Sequence, residues 1–575
     1  MGSRARKLEL TGLIIGMAAG LFVALTWVVV DGSRQGGPAV QVPAAIGSRA
    51  STGSGGGPDP AALDEEWAVY SDRAGCADWA GGDGVSAMSL SSSQIAWFFS
   101  DTFLGPAGPS TGFSRSSGFL HNSVVIQTIG KQGSRFVTMT GGGACRTPGH
   151  PTGEPSSAVG PPRAPGETSD RYWGEDGIEV GGTVVKFYNR YLPGRSAPFI
   201  ATGTVIAAFD ISQLSAAGRG SAYGEVARPR LVPLPSYTPP GDSAPVVWGA
   251  ALFRAGNTVY VYGTQTPDTS VPDRTLYLAR VPVSQLAQFG AWRFYAGAGR
   301  WAAGQQNVVP VQPAGQTFSV SSGFSVLRAG SRYWLIQADP VAGSNDIDAY
   351  PAAEPWGPFD PDARIVLYRD GEIGLTAADD YRIMYEARAE PVLSTRRTLV
   401  ISYNVNSIGV TTGCVSMSAF TNTVTQPRFI TVPMAMLGGG GPDGAVRAGP
   451  SDYPQVASRD PSQWFDEWAE PGGCPPVPGL TYVHARPRSG AVTLSWPDAG
   501  LGVRYDVYLL PPGAAGYVRE TTVLSNDTTL SGLQAGTYLA RVVPANLKHH
   551  TGPAAEVTFT IPLRHPITCG VPGGP

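Results

Sequence analysis

The chain is poor in charge. Asp, Glu, Lys and Arg make up only 15% of its 575 residues, and the formal net charge is −3. Its lysines and arginines are scattered and seldom adjacent, so it lacks the basic face that nucleic-acid binding requires, and a polyanionic partner is not expected. Cysteine is scarce too. Cys76, Cys145, Cys414, Cys474 and Cys569 are widely spaced and include no C-x-x-C pair, which argues against a compact zinc site. One or two disulfides are the expectation, with Cys76–Cys145 the first candidate because both flank the opening strands. Neither a phosphate-cradling Gly-x-x-x-x-Gly-Lys nor a His-Glu-x-x-His occurs, which speaks against nucleotide-dependent and zincin chemistry. Helical periodicity of any length is missing after the first thirty or so residues.

Turn-formers and aromatics are plentiful instead. With 75 Gly, 51 Pro and 10% aromatic residues, the composition favours many short strands joined by turns. The N-terminus places Arg4, Arg6 and Lys7 ahead of an apolar run, Leu10 to Val30. As a helix rising ~1.5 Å per residue, that run spans roughly the ~30 Å hydrocarbon thickness of a bilayer. Its basic flank keeps the N-terminus cytoplasmic and exports the rest of the chain, through a retained anchor or a cleaved signal peptide. The expected organisation is a basic segment (1–9), a transmembrane signal anchor (10–30), a flexible linker (31–62) and a five-bladed β-propeller (63–440). A second linker (441–476), a β-sandwich (477–563) and a tail (564–575) complete it. Propeller blades are suggested by repeated strand patterns such as Gln94-Ile95-Ala96-Trp97-Phe98-Phe99, Asn257-Thr258-Val259-Tyr260-Val261-Tyr262 and Ser331-Arg332-Tyr333-Trp334-Leu335-Ile336. Trp496, then Tyr505-Asp506-Val507-Tyr508, then Leu533-x-x-Gly536-x-Tyr538 resemble a fibronectin type III domain, usually a spacer or weak binder.

Candidate chemistry lies where acids border strands. Gly82-Asp83-Gly84 precedes one strand and Asp101 comes after the next, while Glu175-Asp176-Gly177 opens a third. Glycosidic hydrolysis needs two carboxyl groups about 5–10 Å apart, one an acid, the other a base or nucleophile. Asp83, Asp101, Glu175 and Asp176 are the catalytic candidates, although Asp83 in Gly-Asp-Gly also fits a plain tight turn. His121, Asn122, Trp173, Trp248, Tyr403 and Asn404 are the candidates for binding sugar hydroxyls and faces, against a competing role in ordinary packing. No catalytic metal or cofactor is expected. Asp339, Asp346 and Asp348 form an acidic group that either holds a structural calcium or is a solvated loop.

Gly82-Asp83-Gly84, Ser100-Asp101-Thr102-Phe103, Phe119-Leu120-His121-Asn122-Ser123, Trp356-Gly357-Pro358-Phe359 and Ser402-Tyr403-Asn404-Val405-Asn406 resemble a family of secreted actinobacterial five-bladed propellers. That family is similar to family 43-type glycoside hydrolases and to propeller endo-D-arabinanases. The resemblance implies that Asp83 and Asp101 are pocket acids, that Asp176 adds a third, and that the partner is an arabinan-type polysaccharide. Glu390 stands where such relatives tend to carry histidine. A noncatalytic carbohydrate-binding or wall-adhesion propeller is the alternative.

Overall fold

The computed structural model describes residues 60–72, 79–438 and 477–562, apart from short internal stretches. The expected anchor at 10–30 and all five cysteines lie outside the described residues. Among the described residues no helix is long and apolar enough to cross a membrane.

The fold is all-β. Among the described residues up to 438, five sheets of four to six strands succeed one another along the chain, each built mainly from sequence-adjacent antiparallel strands, with Tyr223–Glu225 pairing parallel at the edge of the first; Trp79–Gly82, Thr102–Leu104 and Gly118–Leu120 form a further small sheet. Their leading strands are Ser86–Ser91, Arg171–Val180, Val247–Ala255, Phe324–Ala329 and, after the short Gly374–Leu375, Tyr381–Ala389. Two-residue turns make this pattern possible: Gly181 and Gly182, at φ 58° and 81°, join Val180 to Thr183 in the left-handed geometry that suits strand twist. Each leading strand packs against that of the next sheet. Between the fifth sheet and the first, the Tyr385 hydroxyl donates to Asp83 and the Ala87 N–H donates to the Glu390 carboxylate. The sheets therefore close into a propeller-like ring whose leading strands face the axis, with apolar clusters such as Val185, Phe187, Trp248 and Trp292 filling the gaps between sheets.

One helix intrudes on the expected linker. Pro60–Ser71 begins with proline, whose fixed φ suits a first turn, and it buries Trp67 and Tyr70 among Trp79, Trp97, Phe99 and Phe136. The end of the 31–62 linker is thus structured, because two large aromatic rings have a partner in the first sheet.

Past the ring, His484–Arg488, Ala491–Ser495 and Asp527–Ser531 form one sheet, and Arg504–Leu510, Val518–Val523, Gly536–Ala545 and Ala555–Ile561 another. Trp496, Tyr505 and Tyr538 pack in the core of this two-sheet unit, and the Tyr538 hydroxyl reaches back to the Gln534 carbonyl at 3.1 Å.

Candidate active site

Asp83 leaves the short strand Trp79–Gly82 and is zipped to the segment carrying Asp101. Its N–H donates to the Asp101 carbonyl at 3.0 Å, and its carbonyl accepts from Ser100 at 2.7 Å. Gly84 is required here twice over. Its φ is +62°, and a Cβ would collide with the Ser100 side chain and sit 3.3 Å from Glu386 Oε2. Asp83 Oδ2 accepts from the Tyr385 hydroxyl at 2.8 Å. Burial, then the charges of Asp101 and Glu386, push the Asp83 carboxyl well above the usual range.

Glu175 owes its direction to a bulge. The register between Arg171–Val180 and its neighbour slips between Gly174 and Gly177, so two adjacent acids face different ways. Glu175 accepts from Asn189 Nδ2 at 2.7 Å and from the Arg388 guanidinium at 3.2 Å. Burial pushes its carboxyl up to about 7, against the lowering effect of Arg388. Asp176 turns away: Leu252 N–H and Gly177 N–H, each at 2.7 Å, occupy its two oxygens. It pins the second sheet to the third and is not part of the cleft, which corrects the expectation that it is a pocket acid.

Glu386 is the acid that sequence reasoning missed. It sits in a second bulge, between Tyr385 and Arg388, with φ +52°, a conformation that costs a non-glycine residue about 1–3 kcal/mol and tends to mark functional sites. Burial raises its carboxyl, and Arg388 opposes the shift. The available signal was Glu386, Arg388 and Glu390 at every second position of an otherwise apolar strand end, because alternate charges on a buried strand must converge on something. Arg388 is buried, donates to the Ala250 carbonyl at 3.0 Å, and fits only because residue 323 is glycine: a Cβ there would lie 2.9 Å from the guanidinium carbon.

Asp83, Glu175 and Glu386 line one cleft of about 300 Å³ counting its open mouth, with Ser100, Trp173, Tyr191, Arg274 and Ser322. Trp173 packs on Tyr191 with ring centroids 4.5 Å apart, and Arg274 lines the cleft with them. Asp101 lies one layer behind. Its Oδ1 accepts from Trp173 Nε1 at 2.8 Å and lies 3.0 Å from His121 Nδ1, so Asp101 and His121 orient the aromatic wall. Asn404 Nδ2 stands 3.5 Å from Glu386 Oε2.

Three expected sugar contacts are structural. Asn122 is fully buried and ties the Val159 backbone at 2.7 Å and the Tyr172 carbonyl at 2.9 Å. Trp248 is sealed between sheets against Trp292 and Phe294. Tyr403 is buried and donates to Asp370 at 2.8 Å. Of the candidate calcium group, Asp348 pairs with Arg364 at 2.9 Å and Asp346 with Arg369 at 2.6 Å, so arginines meet the negative charge. Among the described residues no cluster of three or more His, Cys, Asp or Glu side chains is arranged to hold a metal ion.

Among solved structures, the chain is similar to a putative hydrolase from Bacteroides ovatus, at 18% identity and TM-score 0.49, over 64% of this chain and 89% of that one. It is also similar to an exo-beta-1,3-galactanase from Phanerochaete chrysosporium, at 11% identity and TM-score 0.31, over 84% and 90% of the two chains. An alpha-L-arabinanase from Cellvibrio cellulosa matches at 10% identity and TM-score 0.32, over 61% and 91%. No curated protein matches the chain. A family model does match, over residues 64–445, and the chain belongs to that family, described as a domain of unknown function, DUF5005.

Proposed function

We propose that the ring is a glycoside hydrolase that acts outside the cytoplasm on furanose-containing, arabinan-type polysaccharide. The carrying observation is the cleft itself: three carboxyl groups from the first, second and fifth sheets meet beside the Trp173–Tyr191 wall. Asp83 is the general acid. Burial and the charges of Asp101 and Glu386 hold its carboxyl well above the usual range, so it keeps a proton that it can hand to a leaving glycosidic oxygen. Glu175 is the base toward water: it accepts from Asn189 and Arg388, and it is ionised above about pH 7. Trp173 and Tyr191 offer flat faces to the sugar ring. The arabinan-type substrate rests on the sequence resemblance. In this reading the apolar run at 10–30 anchors or exports the chain, and the C-terminal sandwich is a fibronectin type III spacer.

The test is to purify the full chain in detergent, incubate it with arabinan and arabinogalactan, and compare Glu175→Gln and Asp83→Asn. Wild type should release oligosaccharide, each substitution should lower the rate about 10²- to 10⁴-fold, and the wild-type rate should rise through about pH 7 as Glu175 loses its proton. Release untouched by both substitutions sinks the assignment, whereas saturable binding without release selects the noncatalytic sugar-binding propeller.

A further inference from the structure

We infer that Lys186 is a positioning residue that sets the spacing between the strand that follows the Asp83 loop and the strand that carries Glu175, beneath the cleft. Its Nζ donates at once to the Ser86 hydroxyl in the first sheet and to the backbone carbonyl of Glu175 in the second. Ser86 is joined to Asp83 through Gly84 and Val85, so one nitrogen ties the base of the Asp83 loop to the Glu175 peptide itself. The catalytic consequence rests on the hydrolase reading above; the geometric one does not.

The local sequence makes room for this tether. Lys186 pairs across the sheet with Gly177, at the end of the bulge that turns Glu175 into the cleft. A Cβ on Gly177 would come within 3.0 Å of the Lys186 Cδ, and one on Gly174 within 3.7 Å of its Cε, so the lysine stem lies over two glycines. Phe98 of the first sheet closes the site, its ring centroid 5.4 Å from Nζ. Lys186 is completely buried and does not line the cleft, so it reaches substrate only through the residues it holds. The charges around it come from both sides: Glu175 and Asp176 from the second sheet, and Arg388 and Glu390 from the fifth. Burial and Arg388 lower its proton affinity to about 7 against the three carboxyl groups. As amine or ammonium it still donates to both partners. A buried lysine costs stability that an apolar side chain would not, so fold alone gives no reason for a cation here. Spacing does, because a shift of about 1 Å between reacting groups can cost about 10²-fold in rate.

The deciding experiment pairs crystal structures with kinetics for Lys186→Met and Ser86→Ala in the full chain. The tether predicts that in Lys186→Met the Ser86 and Glu175 strands part by about 1 Å, with kcat on arabinan down about 10²-fold and KM within threefold of wild type. Ser86→Ala, which leaves the buried charge in place, should show a smaller change in the same direction, and it carries the test alone if Lys186→Met does not fold. Unchanged strand spacing, or kcat within threefold of wild type in the folded variants, overturns the inference. If wild type releases no sugar, the hydrolase reading falls while the strand spacing still decides whether Lys186 is a tether.

Discussion

The ring and the C-terminal sandwich are both mainly antiparallel β structure, yet they bury charge to different extents. Where the ring's leading strands converge, it buries Asp83, Asp101, Glu175, Lys186, Arg388 and Glu390, and three of those strands slip register at Gly174/Gly177, Trp248/Ala251 and Tyr385/Arg388. The sandwich keeps its centre apolar, around Val492, Leu494, Tyr505 and Val542, leaves the Arg541–Glu556 pair at its surface, and buries two charged side chains, Arg504 and Asp506, on a strand with a single slip at Val507/Tyr508. Buried charge and broken register reduce stability, while a regular apolar core adds to it. The difference teaches that the ring gives up more stability, at its axis, to aim side chains than the sandwich does.

The sharpest way to break that contrast is to damage the sandwich. Trp496 is almost fully buried and packs on Tyr505 at 5.4 Å, so Trp496→Ala should cost the sandwich about 3–5 kcal/mol. Calorimetry of the full chain should show one transition shifted far down and the ring's transition unmoved, with sugar release unaffected. A joint shift of both transitions would mean that the two regions fold as one unit and that the comparison is misplaced.

A second measurement sharpens the ring's side of it. Glu390 is buried, accepts from Ser402 at 2.6 Å and from Ala87 N–H at 3.0 Å, and is pushed up to about 7 mainly by burial. The unfolded chain ionises this group near its ordinary value while the folded ring holds the proton, so the associated stability is present at low pH and is lost as pH rises through about 7. Glu390→Gln keeps the shape and an acceptor but has no proton to lose. Its stability relative to wild type should therefore grow between pH 5 and pH 8, by up to about 3 kcal/mol, read as the difference in Tm. A gap that is flat with pH would show that Glu390 is ionised throughout and that its charge is compensated inside the ring.

A bulge sets the limit on how far these features were legible. Strands, turns and the acid-bearing loop could be read because glycines mark them: Gly181-Gly182 is a turn, and Gly84 beside Asp83 takes a φ of +62°. Of two neighbouring acids, however, only the register slip decides that Glu175 enters the cleft and Asp176 bonds Leu252 N–H. Strand alternation cannot report a slip of one residue. The same blindness hid Glu386. Trp248 also misled: beside it Gly249, at φ +97°, lets the chain pack tightly on Phe187, and the Trp248 ring is sealed against Trp292.

Glu386 offers the finest test of the idea that the axis exchanges stability for aim. Its φ of +52° is strained for a side chain with a Cβ, and its charge repels that of Asp83. Glu386→Gly removes both penalties, loses the contact with Asn404, and adds freedom to the unfolded chain that offsets about 0.4–1 kcal/mol of the gain. The balance should leave the variant more stable by roughly 1 kcal/mol, seen as a rise in the ring's Tm. Release of sugar should drop at the same time, and the alkaline limb of its pH profile should move down, because the Asp83 carboxyl would no longer be raised by Glu386. A stabler variant with undiminished release would show that the strain at residue 386 serves packing alone, and the axis would then resemble the sandwich more than its buried charges suggest.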